Sequence, residues 1–260
     1  MSRSARALAG TAAALAAGLA VAHALPALTT IPPVRRRFLP ALAGVGRPDH
    51  VALTFDDGPH RRSTPRFLAT LDRYRVRATF FLLGRWVAAF PELGRELVAA
   101  GHEVAVHGYE HTCLLARGPR ATYDDIARAR DTVAELTGAV PRWYRPPYGV
   151  LTGGAVRAVR RLELVPVLWT VWGRDWTAHA TPDSVYRTVG RGLAGGGTVL
   201  LHDSDVTAAP GAWRATLGTL PRIIDTCHER GLRVGPLGEH GHPGSGPDGG
   251  PDLAVDHPAQ

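Results

Sequence analysis

The sequence has no lysine, so all 30 of its basic side chains are arginines. With 23 acidic residues, the formal net charge is +7. The arginines are scattered along the chain and do not form the basic stripe, interleaved with stacking aromatic residues, that nucleic-acid binding needs. We therefore expect no nucleic-acid partner. A nucleic-acid-binding protein would also show a steep salt dependence of its DNA affinity. Attraction to an anionic polymer such as a cell wall stays open.

Cysteine is nearly absent, since the chain contains only Cys113 and Cys227. Two cysteines are too few for the disulfide framework of a small secreted domain, and their spacing leaves open whether they pair. The composition is 45% hydrophobic and 20% charged, as in globular proteins, and 260 residues suffice for one well-buried domain. We expect a monomer with a single folded domain.

A long apolar run lies at the N-terminus. The Ala-rich residues 7–21 follow two arginines and precede Ala22-His23-Ala24, which fits a small-x-small cleavage site. Residues 1–24 are therefore predicted to be an export signal. Because the run approaches the minimum length of a spanning helix, a retained N-terminal membrane anchor is the alternative. Both place the domain outside the cytoplasm, either secreted or attached to the outer face of the cell membrane.

Composition also sets the limits of the folded domain. Residues 25–46 are predicted to be a linker and residues 47–237 the domain itself. Residues 238–260 have almost no apolar content, so they are predicted to form a disordered tail. Metal binding by the histidines of this tail is disfavoured, because a mobile tail lacks a fixed ligand geometry. These histidines are His240, His242 and His257.

Within the domain, short apolar runs alternate with longer amphipathic stretches, which indicates an α/β fold with a largely parallel sheet. The predicted strands are Val51–Thr54, Ala78–Leu83, Glu103–His107, Trp143–Arg145, Leu164–Trp169, Thr198–His202 and Leu232–Val234. The predicted helices are Thr64–Tyr74, Trp86–Ala100, Ala121–Leu136, Gly153–Arg160, Pro182–Leu193 and Thr216–Arg230. In a parallel sheet the carboxyl ends of the strands share one edge, so polar residues after different strands are expected to converge there.

Several polar residues at these strand ends have chemistry that suits catalysis. Asp56 and Asp57 follow the first strand, whose alternation would point them apart, although Asp-Gly is also common turn chemistry. His107 and His111 follow the third strand. Two histidines and one carboxylate with an open position form a recognised catalytic zinc site, and either aspartate could supply the oxygen.

Two further segments suit proton transfer and charge stabilisation. His202 ends a buried strand and can act as a general acid if Asp175 holds its tautomer; otherwise it is a structural histidine. Arg145 can hold a carboxylate, while the amide of Tyr148 points at a developing oxyanion; a Pro-rich turn is the alternative. Four tryptophans either line a carbohydrate groove or belong to the core. They are Trp169, Trp172, Trp176 and Trp213.

Taken in order, five segments resemble the polysaccharide deacetylases of carbohydrate esterase family four, the NodB-homology domain. The similarity spans about residues 47–234 and implies a distorted (β/α) barrel with fewer than eight strands, here about seven. The matching segments are Thr54–Pro59, His107–His111, Arg145–Gly149, Asp175–Trp176 and Leu200–Asp203.

The resemblance implies a metal site. Asp57, His107 and His111 would hold a divalent metal, most often zinc, with cobalt or nickel as alternatives. The sequence departs from the family pattern within this segment. Gly108 stands where a serine or threonine is common, and Thr112 where a proline is common.

The resemblance also implies the remaining roles. Asp56 would be the general base, oriented by Arg145, and His202 the general acid, tuned by Asp175. Substrate contacts would come from the Tyr148 amide, which stabilises the oxyanion, and from a pocket for the acetyl methyl group formed by Trp176 and Leu200.

The predicted function is metal-dependent removal of acetyl groups from N-acetylglucosamine-type residues of a peptidoglycan or chitin-like polysaccharide. Within the same family, hydrolysis of O-acetyl esters on xylan-type glycans is the alternative. A non-catalytic wall-glycan-binding module is the alternative from another class. Such a module would be expected to lack the acid or the base, whereas Asp56 and His202 are both present.

Overall fold

A curled, parallel half-barrel of seven strands dominates the computed structural model, which describes residues 3–242. The strand order is β5-β4-β3-β2-β1-β7-β6, and a short β8 pairs with the first residues of β1. In chain order the strands are β1 (His50–Asp56), β2 (Thr79–Leu82), β3 (Glu103–Val106), β4 (Trp143–Tyr144), β5 (Val165–Pro166), β6 (Val171–Trp172), β7 (Thr198–His202) and β8 (Arg233–Gly235). The predicted parallel α/β fold is confirmed.

Helices surround this half-barrel. In chain order they are α1 (Arg3–Ala24), α2 (Pro32–Phe38), α3 (Thr64–Tyr74), α4 (Gly84–Ala89), α5 (Pro91–Ala99), α6 (Pro119–Thr137), α7 (Gly153–Arg161), α8 (Pro182–Gly190) and α9 (Trp213–Glu229). Short 3₁₀ turns cover Leu25–Thr30, Leu114–Ala116, Pro147–Gly149 and Leu237–Glu239. Five of the six predicted helices match one observed helix each. The sixth, predicted over Trp86–Ala100, is two helices, because Phe90 is non-helical and Pro91 starts a new first turn.

The core lies mainly between the central strands and the helices packed on them. All seven residues of β1 are buried, as expected for a strand covered on both faces. The ring of Phe55 stacks on that of Phe80 with centroids 5.0 Å apart and meets the edge of Phe67 from α3 at 5.2 Å. Strand β1, which ends at Asp56, is therefore packed against both α3 and β2.

Residues 25–46, predicted to be a linker, pack against the domain instead. Arg35 of α2 is 2% exposed, and its guanidinium donates to the Trp169 carbonyl at 2.9 and 3.2 Å. Farther along, the Gly46 amide donates to the Gly196 carbonyl at 3.0 Å. Composition did not reveal this docking, because it is carried by one buried arginine and by backbone hydrogen bonds.

The disordered tail was predicted to begin at residue 238, which is too early. His240 is fully buried, with its Nδ1 2.9 Å from Nδ1 of His50, and His242 Nε2 lies 2.6 Å from the Ala41 carbonyl. These imidazoles are fixed by polar contacts, which a count of apolar residues does not register. They lie beside the start of β1, away from the strand ends that carry the aspartates. Residues 243–260, including His257, lie outside the described residues.

Residues Thr11–Thr30, which comprise most of helix α1 and the following 3₁₀ turn, are long and apolar enough to cross a membrane by length and composition. The end of α1 contacts α7, because a Cβ atom on Gly153 would lie 2.4 Å from the Ala22 carbonyl oxygen. This apolar helix is consistent with either an export signal or an anchor. Cys113 is exposed and Cys227 is buried, and both are free thiols.

Candidate active and metal site

The candidate site lies at the carboxyl ends of the central strands. Asp56 is the last residue of β1 and is paired in register with Phe81 of β2 and His202 of β7. A cavity of about 220 Å³ opens at this edge, and Arg145 and Asp175 are buried behind its surface. The predicted site residues that line the cavity are Asp56, Asp57, His107, His111, Tyr148, Trp176, Leu200 and His202.

Asp57, His107 and His111 form a cluster that could hold a metal ion. Oδ1 of Asp57 lies 3.3 Å from Nε2 of His107 and 3.5 Å from Nε2 of His111. Ligands bound at 2.0–2.2 Å around a tetrahedral zinc are separated by about 3.3–3.6 Å. This buried Oδ1 also has no hydrogen-bond partner among the described residues, as expected for an atom reserved for a cation. The residues therefore fit a divalent metal.

The backbone explains why the two aspartates face different partners. β1 ends at Asp56, and Asp57 adopts the left-handed conformation with φ of 75°. This conformation is uncommon outside glycine, although aspartate is among the residues that tolerate it. The turn directs the Asp57 carboxylate to the two imidazoles, while Asp56 keeps the strand geometry. Thr207 donates a hydrogen bond to the second oxygen of Asp57, Oδ2.

Arg145 binds Asp56 in the protein interior. The arginine is fully buried, and its Nη1 donates to Oδ1 of Asp56 at 2.7 Å and to the Thr54 hydroxyl at 2.9 Å. Its other donors reach the carbonyls of Val167 at 3.3 Å and Leu168 at 2.8 Å. Burial lowers the pKa of Arg145, and the charge of Asp56 opposes that shift. The planar guanidinium thus fixes one carboxylate oxygen and leaves the other facing the cavity.

The protonation of the cluster is set by burial and by mutual contacts. His107 Nδ1 donates to the Arg145 carbonyl at 2.8 Å, which turns Nε2 towards Asp57. Burial lowers the pKa of His107, but the neighbouring carboxylates of Asp56 and Asp57 outweigh that effect and raise it above its usual value. Burial lowers the pKa of His111 to about 4, with His107 adding to the shift, so its imidazole is neutral and can coordinate a metal. Burial opposes ionisation of Asp57, but His107 holds the pKa of that carboxyl well below its usual value.

Asp175 orients His202. Its Oδ1 lies 2.9 Å from Nδ1 of His202, and its Oδ2 accepts from the His202 amide at 2.8 Å and from the Thr216 hydroxyl at 2.6 Å. Burial disfavours the charged imidazole, but Asp175, together with the more distant site aspartates, raises the pKa of His202 to about 10. His202 Nε2 lies 3.8 Å from Oδ2 of Asp57, at the cavity. An imidazole held in this way carries a proton that it can donate.

Aromatic side chains form one wall of the cavity. Trp172 stacks on Trp169 at 5.9 Å and contacts Trp176 at 4.9 Å, and Trp176 meets the ring of His202 edge-on at 5.6 Å. Of the four tryptophans named as candidates for a groove, Trp169, Trp172 and Trp176 line the cavity. Trp213 is 4% exposed and belongs to the hydrophobic core.

Tyr148 lines the cavity next to His111. Its side chain is exposed, its ring contacts that of His111 at 4.5 Å, and its backbone is left-handed with φ of 59°. The next residue, Gly149, admits the Trp169 ring, because a Cβ atom there would lie 2.7 Å from Cη2. The tight turn sets the Tyr148 backbone at the cavity.

The loop that carries His111 is supported by a residue that the sequence patterns did not identify. Asp125 of α6 is 8% exposed and accepts hydrogen bonds from the amides of Tyr109 at 3.0 Å and Glu110 at 3.2 Å. It also binds Arg117 at 2.7 Å. Gly108, with φ of 97°, brings the loop so close that a Cβ atom would lie 3.0 Å from Oδ2 of Asp125. No local pattern marks Asp125 or Thr207, because each acts across a long sequence separation.

Comparison with known proteins supports the resemblance seen in the sequence. A sequence model of the family described as polysaccharide deacetylase matches residues 43–167. The chain is 36% identical over 197 residues to a chitooligosaccharide deacetylase of Bradyrhizobium sp. (strain ANU 289), covering 72% of this chain and 88% of that protein. It is 34% identical over 182 residues to a peptidoglycan-N-acetylglucosamine deacetylase, PgdA, of Listeria monocytogenes, covering 68% of this chain and 38% of that protein.

A solved structure agrees with these sequence relatives. The family 4 carbohydrate esterase from Streptomyces lividans, in complex with acetate, matches with a TM-score of 0.65 at 34% identity. The match covers 73% of this chain and 93% of that one. Fold, site and relatives agree, and the chain therefore belongs to the polysaccharide deacetylase family of hydrolases.

Proposed function

We propose that this deacetylase removes acetyl groups from N-acetylglucosamine residues of a peptidoglycan or chitin-like polysaccharide and that it requires a divalent cation, with zinc as the best match. The observation that carries the proposal is the cluster of Asp57, His107 and His111, with its unpartnered oxygen and separations of 3.3 and 3.5 Å. The substrate class is supported by the relatives, which are named for chitooligosaccharide and for peptidoglycan.

Asp56 is the residue that takes a proton from the attacking water, beside the residues that would hold the cation, Asp57, His107 and His111. When bound, the cation supplies Lewis acidity, which polarises the acetyl carbonyl and eases deprotonation of water at neutral pH. Asp56 accepts that proton through Oδ2, the oxygen that Arg145 leaves free. Arg145 keeps the carboxylate in place during the reaction, because four buried hydrogen bonds fix the guanidinium.

His202 performs the second proton transfer. Its Nε2 donates to the leaving amine of the sugar, while Asp175 holds Nδ1 and stabilises the charged imidazole beforehand. The backbone amide of Tyr148 helps to stabilise the oxyanion, and Trp176 and Leu200 enclose the acetyl methyl group. General acid or base catalysis contributes about 10²–10⁴-fold each, so the loss of either partner should be readily measured.

The apolar N-terminal helix and the proposed substrate both indicate where the protein acts in the cell. Cell-wall and chitin-like glycans lie outside the cytoplasm, and α1 suits either an export signal or an anchor. We propose that the domain, residues 47–237 with the docked segments on either side, acts there as a monomer.

Acetate release tests the proposal. The wild-type protein is incubated with N-acetylglucosamine oligomers, peptidoglycan and acetylated xylan, with and without chelator, and then with added zinc. We expect zinc-restored release from the first two substrates. Release from xylan alone would favour the ester-hydrolysing alternative, glycan binding without release would favour a binding module, and undiminished release in chelator would refute the metal requirement.

Two variants test the assigned roles. Asp56→Asn is expected to retain zinc while turnover falls by about 10²-fold or more, and His107→Ala is expected to lose zinc. His228→Ala, on the exposed face of α9, is the matched control and should behave as the wild type. Full activity in Asp56→Asn would show that another group is the base.

A further inference from the structure

A second cavity, of about 170 Å³, adjoins the active-site cavity. The two share Tyr148, Gly149, Trp169 and Trp172, so they form one continuous surface. The remaining wall of the second cavity comes mainly from the segment Leu25–Phe38, through Thr30, Pro32 and Arg35. This segment precedes residue 43, where the match to the family begins.

The N-terminal wall is firmly attached to the domain. Arg35 donates to the Trp169 carbonyl and also to the carbonyls of Thr29 at 3.3 Å and Thr30 at 3.1 Å, so one buried side chain ties the segment to the domain. The guanidinium lies 5.1 Å from the Trp169 ring, and Arg36 donates to the Thr170 carbonyl. The second cavity therefore lies between Leu25–Phe38 and residues 169–172, which hydrogen bonds hold together.

The lining has the chemistry of a sugar-binding site. Trp172 is 37% exposed although its ring contacts those of Trp169 and Trp176, so part of the indole remains accessible to a ligand. Aromatic faces accept the apolar face of a pyranose, and polar groups at the edge accept or donate hydrogen bonds to its hydroxyls. Thr30 and Pro32 are exposed at the rim. The space accommodates one sugar ring next to the ring that is being deacetylated.

We propose that Thr30, Pro32 and Arg35, together with Trp172, form a distal subsite that binds a neighbouring N-acetylhexosamine of the same polysaccharide chain. The subsite rests on the proposed function and specifies its substrate as an oligomer instead of a single sugar. Cleavage after Ala24, predicted from the sequence, leaves the whole segment in the mature chain. The N-terminal segment is thus part of the substrate-binding surface.

A substitution that fills the subsite tests the proposal in the full chain. Thr30→Trp is expected to lower kcat/KM for the N-acetylglucosamine hexamer about tenfold relative to the dimer, since contacts in such a pocket are worth about 10–200-fold. Thr30→Leu should give a smaller loss. Leu28→Trp introduces the same side chain at a 52% exposed position two residues away, outside the cavity, and should leave the hexamer-to-dimer ratio unchanged.

Binding without turnover separates this proposal from the proposed function. In the Asp56→Asn background, calorimetry should show weaker hexamer binding with Thr30→Trp than with Leu28→Trp. If the wild type releases acetate but Thr30→Trp changes neither the ratio nor the hexamer affinity, the subsite is refuted and the proposed function stands. If the wild type neither binds nor deacetylates the oligomers, both are refuted. Melting temperatures of the variants confirm that each is folded.

Discussion

The ion pair between Arg145 and Asp56 should be the most sensitive polar contact of the fold. Both side chains are almost fully buried, and their shortest contact is 2.7 Å. In Arg145→Met the carboxylate of Asp56 loses its charged partner, and the carbonyls of Val167 and Leu168 lose their donors. The variant therefore leaves an uncompensated charge in the interior.

The expected cost follows from that charge. Removing one partner of a buried ion pair destabilises a protein by about 3–5 kcal/mol. For a domain of this size that lowers the melting temperature by roughly 6–20 °C. Adding Asp56→Asn removes the stranded charge, so the double variant should recover part of the loss, with a coupling energy of about 2 kcal/mol. Arg145→Lys keeps the charge but not the planar fork, and should lose less than Arg145→Met.

Denaturant unfolding in the presence of chelator measures this cycle without a contribution from metal binding. Arg35→Met is the matched control, because Arg35 is also buried but, within residues 3–242, donates to carbonyls and to no carboxylate. Combined with Asp56→Asn it should give additive losses. Additive losses in the Arg145 cycle, or an Arg145→Met protein as stable as the wild type, would show that the ion pair with Asp56 does not stabilise the fold.

Two further predictions concern His202 and Asp125. The folded pKa of His202, raised to about 10 by Asp175 against the effect of burial, exceeds the value near 6.5 of an unfolded imidazole. The stabilisation of the fold by protonated His202 is therefore complete below pH 6.5 and is lost as the pH rises towards 10. In the absence of metal, His202→Gln should lower the melting temperature less and less over this range. A loss of melting temperature that grows with pH would contradict this prediction. Asp125→Ala should weaken zinc affinity about 10–100-fold, because Asp125 holds the loop that carries His111. Asp124→Ala, at an exposed neighbouring position, should leave the affinity unchanged. Equal zinc affinities of the two variants in equilibrium dialysis would contradict this prediction.

The sequence was sufficient to predict that the site residues converge. Asp56, His107 and His202 follow strands of a parallel sheet, and parallel strands present their carboxyl ends at one edge. The sequence left open which aspartate faces the histidines. That distinction depends on the left-handed backbone of Asp57, which no alternation of strand residues encodes.

What the sequence could not predict depends on contacts between distant segments. Asp125, in helix α6, contacts the loop that carries His111, and Arg35 contacts Trp169 across 134 positions of the sequence. His240 and His242 are held by carbonyl and imidazole partners, so a criterion based on apolar content placed them in a disordered tail. In each case a polar side chain finds its partner only after the chain has folded.

The pairing of β1 with β7 gives Asp56 and His202, the proposed proton carriers, a different thermal behaviour from the proposed metal ligand His111. Asp56 and His202 occupy one register position on adjacent buried strands, so their spacing persists until the sheet itself unfolds. His111 lies in a loop, and loops open in sub-global fluctuations at a lower free-energy cost than core strands. Heating the metal-depleted protein should therefore displace His111 first, so the ability to take up zinc would be lost reversibly before the cooperative melting of the half-barrel.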